Sequence, residues 1–269
     1  MKRGCEVVTT TGGARAILDH STGEVMHPVV GPAVESRRLY IEPSRLAARL
    51  AEPGDPLVLL DVGLGAGSNA AAAWQLAASL PNARPLEIVS LDRDLEALAL
   101  ALEHADEFDL GGPVGDAARA LLTHGEHATP HIRWRMIRGE LPATLALAPP
   151  ADIVFWDPFS PRANPTLWQL AAFTALRSRC RPAATVHTYS GATAVRSALL
   201  LAGFAVGEGA PTGEFKTSTT AAVQLADLER PLNRRWLARL ARSSAAFPPD
   251  APADALARVS ALPQFHEPG

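Results

Sequence analysis

The sequence predicts an α/β protein whose centre is a doubly wound, mainly parallel sheet over residues 55–226, with a β-rich extension over 1–54 and a helical tail over 227–269. Three observations carry this. Short apolar runs alternate with segments of helical periodicity, the rhythm of strands joined by crossover helices. The first such run, "LLDVGLGAGSN", breaks into glycines at alternate positions before a helical stretch. The second, "IVSLDRD", ends on an acidic residue.

Taken in order, "TTTGGARAILDHSTGEVMHP" has the Gly-punctuated alternation of a β-hairpin, and Glu42–Ala51 that of a short helix. Leu57–Leu64 is a buried strand, Ser68–Leu80 a helix, Leu86–Leu91 a strand and Asp94–Glu107 a helix. Gly115–His124 continues as a helix, His131–Ile137 and Asp152–Trp156 as strands. Pro165–Arg179 is expected as one helix with Pro in its first turn. Thr185–Tyr189 is a strand, Ala192–Ala202 a helix closed by Gly203, Phe204–Gly207 a short strand, and Thr217–Leu225 the strand that closes the sheet. In the tail, Leu232, Trp236 and Leu240 share one helical face and Arg235, Arg239 and Arg242 another, before the Pro-rich break Phe247–Pro252.

With 269 residues, 47% of them hydrophobic, the chain is long enough for one large core with additions. No run approaches the roughly 18–20 apolar residues of a membrane span, and "MKRGCEVVTTTGG" lacks the apolar middle of a signal peptide, so a cytoplasmic protein without membrane contact is expected. Cys5 and Cys180 are too few for a disulfide framework and wrongly spaced for zinc. His124, His127 and His131 lie on an irregular segment with no thiolate, which reads as a solvated loop; no metal is expected. A net charge of −3 gives no global attraction to nucleic acid, so any RNA would need a local patch. Lys occurs only at 2 and 216, so the preference for Arg reflects composition rather than phosphate recognition.

In an open parallel sheet, ligands bind beyond the carboxyl ends of strands, where glycine lets backbone approach them closely. Asp61, Gly63, Gly65 and Gly67 fall there, and Asp92 ends the next strand, where a carboxylate can bond a ribose. A tight strand-to-helix turn would also want glycine. The spacing G-x-G-x-G, with Ser68 where a dinucleotide fingerprint has its third glycine, favours S-adenosylmethionine over a nicotinamide cofactor.

A second segment, "DIVFWDPFSPRANPTLWQLAAFTAL", delivers Asp157 from a strand into a Pro-rich loop. Together with "TYSGATAVRSALLLAGFAV" and "GEVMHPVVGPAVESRRLYIEPSRL", it resembles the methyltransferase family of the tRNA 5-methylaminomethyl-2-thiouridine-forming enzymes, MnmC or, standing alone, MnmD. The resemblance runs in order over about residues 10–225, and D-x-F-S-P-x-x-N-P-x-L-W is its most specific part. It implies a Rossmann-like methyltransferase fold that uses S-adenosyl-L-methionine. It implies too that Gly63, Gly65, Gly67 and Asn69 bind that cofactor, that Asp92 holds its ribose, and that Asp157, Phe159, Ser160 and Pro161 form the amine-substrate loop.

Methyl transfer from a sulfonium to nitrogen asks the protein to orient two reactants, exclude water and leave the amine neutral. Asp157 suits the last task as an acceptor of the amine proton, although a strand-end carboxylate also caps turns. Glu140 stands where the family has an acidic residue near the adenine, and a helix N-terminus would favour it equally. Tyr189 and Ser190 either line the substrate pocket or finish the sheet, and Trp168 is read as core.

The family's basic G-R-K-R stretch is replaced here by "APTGEFKTSTTAAV", which keeps only Lys216. An anticodon arm needs cationic contacts, and two replacement patches offer themselves, Arg133 with Arg135 and Arg235 with Arg239 and Arg242. The flavin-dependent oxidase domain of the family's long fusion proteins is also missing, so another enzyme is expected to supply the aminomethyl group. The expected activity is N-methylation of the aminomethyl group of a tRNA wobble uridine. The alternatives are a small-amine or natural-product methyltransferase, a non-catalytic binding module and, more distantly, a nicotinamide enzyme.

Overall fold

The computed structural model describes residues 4–26, 31–212 and 217–266. Leu57–Val62 (β4), Leu86–Asp92 (β5), Ile132–Arg138 (β7), Ala151–Trp156 (β8) and Cys180–Thr188 (β9) run parallel at the centre of an eight-stranded sheet. Its order is β10-β11-β9-β8-β4-β5-β7-β6. The outer strands Glu126–Ala128 (β6), Ala205–Pro211 (β10) and Thr217–Ala222 (β11) pair antiparallel. The chain leaves β4 first towards β5 and β7 and later returns to β8 on its other side. This puts the switch point between β4 and β8, where Asp157 N–H donates to the Val62 carbonyl at 2.8 Å.

Alternate residues of β4 feed two cores. Leu57 and Leu59 pack under Leu46–Ala51 (α2), Ser68–Ser79 (α3), Glu96–Glu103 (α4) and Gly112–His124 (α5). Val58, Leu60 and Val62 pack under Leu170–Arg177 (α6), Thr193–Leu201 (α7) and the tail. Among the described residues no helix is long and apolar enough to cross a membrane.

Before this sheet, Cys5–Thr9 (β1), Arg15–Asp19 (β2) and Glu24–Val25 (β3) form a small antiparallel sheet. Pro32–Ser36 (α1) then passes into a wide π-helical turn, Arg37–Ile41. The expected helix Glu42–Ala51 starts late, at Leu46, because Arg45 takes a left-handed φ of 54° that interrupts it. Asp94–Glu107 likewise shortens to α4, bounded by non-helical Leu95 and His104.

Three further expectations change. Thr217–Leu225 does not close the sheet: β10 and β11 form an antiparallel pair, so the later strand inserts beside β9 and leaves β10 at the edge. The strands expected at Thr185–Tyr189 and Phe204–Gly207 extend to Cys180–Thr188 and Ala205–Pro211. Pro165–Arg179 is a 3₁₀ turn, Pro165–Trp168, and then α6, broken at Gln169 with φ −93° and ψ 164°. The Asp250 carboxylate from the tail receives the N–H groups of Leu170 and Ala171 at 2.9 Å each and so caps α6 from 79–80 residues away. We expect Asp250→Ala to cost about 1 kcal/mol and to lower the Tm by roughly 2–4 °C in a thermal melt.

The tail packs on the second core through Arg234–Leu240 (α8) and Ala255–Ser260 (α9). Trp236, Leu240, Val259 and Phe265 are buried, and the Gln264 side chain bonds both the N–H and the carbonyl of Val206.

Candidate active site

A cavity of about 990 Å³ opens at the carboxyl ends of β4, β5 and β8 and is roofed by β2, β3 and the turn that carries Tyr40. That volume is at the upper end of the ~300–1,000 Å³ usual for ligand pockets and leaves room for two reactants.

Gly63 shows why the strand ends in glycine. Its φ is 88°, and a Cβ there would lie 2.7 Å from the Asp157 carbonyl oxygen and 2.9 Å from Pro158 N, so only a bare backbone lets the β4 and β8 loops meet. Gly65 donates its N–H to Asp92 Oδ2 at 3.1 Å, and Arg93 N–H donates to Oδ1 at 2.7 Å. Burial raises the Asp92 carboxyl above its ordinary value, and these two N–H groups oppose that rise.

Asp157 lies on the cavity wall. Its Oδ1 accepts from the Tyr40 hydroxyl at 2.5 Å and its Oδ2 from Asn69 Nδ2 at 2.7 Å. Tyr40 is fully buried, and burial followed by the Asp157 charge pushes its hydroxyl well above the usual phenol range, so it remains a donor. Tyr189 also lines the cavity; it donates to the Pro158 carbonyl at 3.2 Å and meets Trp168 edge-on, with burial raising its hydroxyl. Trp168, buried as core, donates Nε1–H to the Phe159 carbonyl at 2.8 Å and so pins the loop that places Phe159 and Ser160 at the cavity.

The other residues singled out from sequence divide. Gly63, Gly65, Asp92, Glu140, Asp157, Phe159, Ser160 and Tyr189 line the cavity. Gly67 stands behind it against Leu98. Asp61 is buried below, where it accepts from Ser90 Oγ at 2.7 Å, and Ser90 Oγ in turn accepts from Trp134 Nε1 at 2.9 Å. Asn69 reaches the cavity only through Asp157. Pro161 is exposed and off the wall. Ser190 finishes the sheet: its carbonyl accepts from Thr219 Oγ1 at 2.6 Å. Lys216 lies outside the described residues, as do His27 and Pro28 of the expected hairpin. Among the described residues no cluster could hold a metal. Cys5 faces the cavity, but burial pushes its thiol to about 11, leaving it unreactive.

Sequence reasoning missed Tyr40 and Glu24. Glu24 Oε2 accepts the Ser160 N–H at 2.9 Å, and its Oε1 accepts from Ser160 Oγ and from Arg162 at 3.3 Å. Burial alone would raise the Glu24 carboxyl, but the bonds from Ser160 hold it below its ordinary 4.5. A depressed carboxyl stabilises the contact above 4.5 and loses it as pH falls through the lower folded value. We therefore expect Glu24→Ala to raise amide exchange at Ser160 by about tenfold near neutral pH, and the native protein to show the same loosening only in acid.

The cavity is acidic. Asp19, Glu24, Glu35, Asp92, Asp94, Glu140 and Asp157 face it against Arg38 and Arg93. Such a field favours cations. S-adenosyl-L-methionine fits these residues: Gly63 and Gly65 bring bare backbone to the cavity wall, and Asp92 supplies a half-buried carboxylate there at the end of the second strand.

A family model described as S-adenosyl-L-methionine-dependent methyltransferase matches residues 122–224. The tRNA 5-methylaminomethyl-2-thiouridine biosynthesis bifunctional protein MnmC of Methylibium petroleiphilum is 31% identical over 212 residues, 74% of this chain and 32% of that protein. Its Pseudomonas aeruginosa counterpart is 32% identical over 205 residues, 70% of this chain and 31% of that one. The chain thus spans about a third of the length of these relatives. The crystal structure of MnmC2 from Aquifex aeolicus superposes with a TM-score of 0.75 at 27% identity, covering 97% of this chain and 87% of that one. Glycine cradle, strand-end acid, switch-point cavity and comparisons agree: this chain is an S-adenosyl-L-methionine-dependent methyltransferase, and within that group it resembles the MnmC-type family.

Proposed function

We propose that the protein methylates the nitrogen of a 5-aminomethyl group on a tRNA wobble uridine. Residues 55–226 would form the catalytic core, with 1–54 roofing the cleft and 227–269 bracing the far edge of the sheet. The observation that carries the reading is Asp157, a carboxylate held by two donors on the wall of an acidic cavity, next to the glycine turn.

S-adenosyl-L-methionine, when bound, supplies the electrophilic methyl group. The chain's residues do the rest. Asp92 would bond the cofactor's ribose hydroxyls, Gly63 and Gly65 would present bare backbone to it, and Glu140 would bound its base. An ionised carboxylate has about four acceptor positions. Tyr40 and Asn69 each donate to one oxygen of Asp157, which orients the group to receive an ammonium and then its proton. Phe159 and Tyr189 wall off water, and Ser160, fixed by Glu24, sets the loop. A cytoplasmic location accompanies a tRNA substrate.

One observation favours a second reading, methylation of a small free amine: the acidic cavity attracts any cation and repels phosphate. Steady-state rates with aminomethyl-bearing tRNA and with a panel of small primary amines separate the two. The tRNA reading predicts a kcat/KM at least about 100-fold higher for tRNA; the reverse order selects the small amine.

A further inference from the structure

An acidic cleft can admit an aminomethyl base, but the phosphates on either side of that base must be held elsewhere. Of the two arginine patches, the one on β7 is already used: Arg133 pairs with Glu126 at 2.5 Å and Arg135 with Glu87 at 2.8 Å. The tail differs. Arg230, Arg235, Arg239 and Arg242 line one groove of about 570 Å³, with Glu208 as its only carboxylate among the described residues. All four are exposed, and no ion pair ties any of them within the described residues.

We propose that this groove binds the phosphates of the RNA strand flanking the methylated uridine, an inference that rests on the tRNA reading above. Arg235 and Arg239 stand four residues apart on α8, hence on one face, and Arg242 follows three residues later. The helix is fixed beneath them by buried Trp236 and Leu240, and Asn233 Oδ1 accepts the N–H groups of Arg235 and Trp236. A rigid base limits the entropy lost when long side chains engage a ligand. Arg230 is anchored through its Nη2 to the Gly209 carbonyl on β10.

Strand β10 also sets the distance to the cleft. Glu208 faces the groove, and Pro211, three residues on, lines the cavity. At ~3.3 Å per residue the separation along the strand is about 10 Å, or about three nucleotides of stacked strand at ~3.4 Å each. β10 runs parallel to β8 and β9, so it points to the edge of the sheet where Asp157 lies. Asp157 follows β8, three strands in from β10 and so about 14 Å further across at ~4.8 Å per strand; a base beside it leaves phosphates about five nucleotides along the strand within reach of the groove, while the cavity's own carboxylates keep phosphate out. Guanidinium forks suit phosphate oxygens, and unpaired loop nucleotides are the form of RNA from which a base can be drawn.

The test uses the full chain with an anticodon stem-loop RNA that carries aminomethyluridine at the wobble position. Methylation and fluorescence-detected binding are measured from 50 to 300 mM salt for the native protein, Arg235→Ala/Arg239→Ala, Arg235→Lys/Arg239→Lys and Arg119→Ala. The last removes an exposed arginine paired with Asp116 on α5. The proposal predicts that the double alanine variant raises the RNA KM and Kd about tenfold near 150 mM salt and flattens the log Kd against log salt slope by about 1.4. S-adenosyl-L-methionine affinity should hold, the lysine variant should recover most of the binding, and Arg119→Ala should match the native protein. Native methylation with an unchanged KM and salt slope in the double alanine variant would overturn the groove and leave the tRNA reading standing. Failure of the native protein to bind or methylate the RNA would overturn both.

Discussion

Replacing Asp157 by Ala is expected to lower kcat for the amine substrate about 10³-fold, within the range for loss of a positioned proton acceptor, with S-adenosyl-L-methionine affinity held within about threefold. The two should separate because Tyr40 and Asn69 hold Asp157, whereas Asp92 and the Gly65 N–H form a separate pair. The substitution also takes the acceptor from the buried Tyr40 hydroxyl, at a cost of about 1–3 kcal/mol in stability. Asp157→Asn is the sharper variant, because it keeps the volume and one acceptor oxygen but cannot take a proton. Titration calorimetry with the cofactor and single-turnover methylation give the two readouts. Equal loss of cofactor binding and turnover would assign Asp157 to the glycine loop instead of to the amine.

The second large effect is expected at Gly63. A methyl group there would stand 2.7 Å from the Asp157 carbonyl oxygen, on a residue whose φ of 88° L-amino acids rarely adopt. Backbone strain and overpacking each cost about 1–3 kcal/mol. Because the atoms it meets are backbone of the loop that carries Asp157, that loop must move. Gly63→Ala is therefore expected to bind S-adenosyl-L-methionine at least about 100-fold more weakly and to lower the Tm by roughly 6–12 °C. Gly65→Ala is a useful contrast: its Cβ would meet the flexible Met26 sulfur at 3.1 Å, which can shift, so the smaller effect is expected there.

How much of this was legible from sequence follows from the range of the interactions. Strands β4, β5, β7 and β8 and helix α3 are written in local periodicity, and the positions of Gly63, Asp92 and Asp157 follow from strand ends and the switch point. The break at Gln169 is not visible locally, since the N–H groups that open α6 after it are taken by Asp250, far along the chain. Tyr40 is 117 residues from Asp157 and Glu24 is 136 from Ser160; each sits in an element too short, a five-residue π-helical turn and a two-residue strand, to show a period in sequence. Arg133 and Arg135 read as an available patch because a window cannot show that strand register brings Glu126 and Glu87 beside them. Asp61 belongs to the same class: its position in the motif is plain, but its engagement by Ser90 from the neighbouring strand appears only once β4 and β5 are paired.

The central claim, that the acidic cavity delivers a methyl group to an aminomethyl nitrogen on tRNA, is tested most directly by the product. Native protein and Asp157→Ala are incubated with methyl-labelled S-adenosyl-L-methionine and bulk tRNA from cells lacking this methylation step, and the digested nucleosides are identified by mass. The account predicts label in 5-methylaminomethyluridine or its 2-thio form with the native protein and almost none with the variant. Unlabelled tRNA from a native protein that binds the cofactor would contradict it and assign the cavity to a small amine.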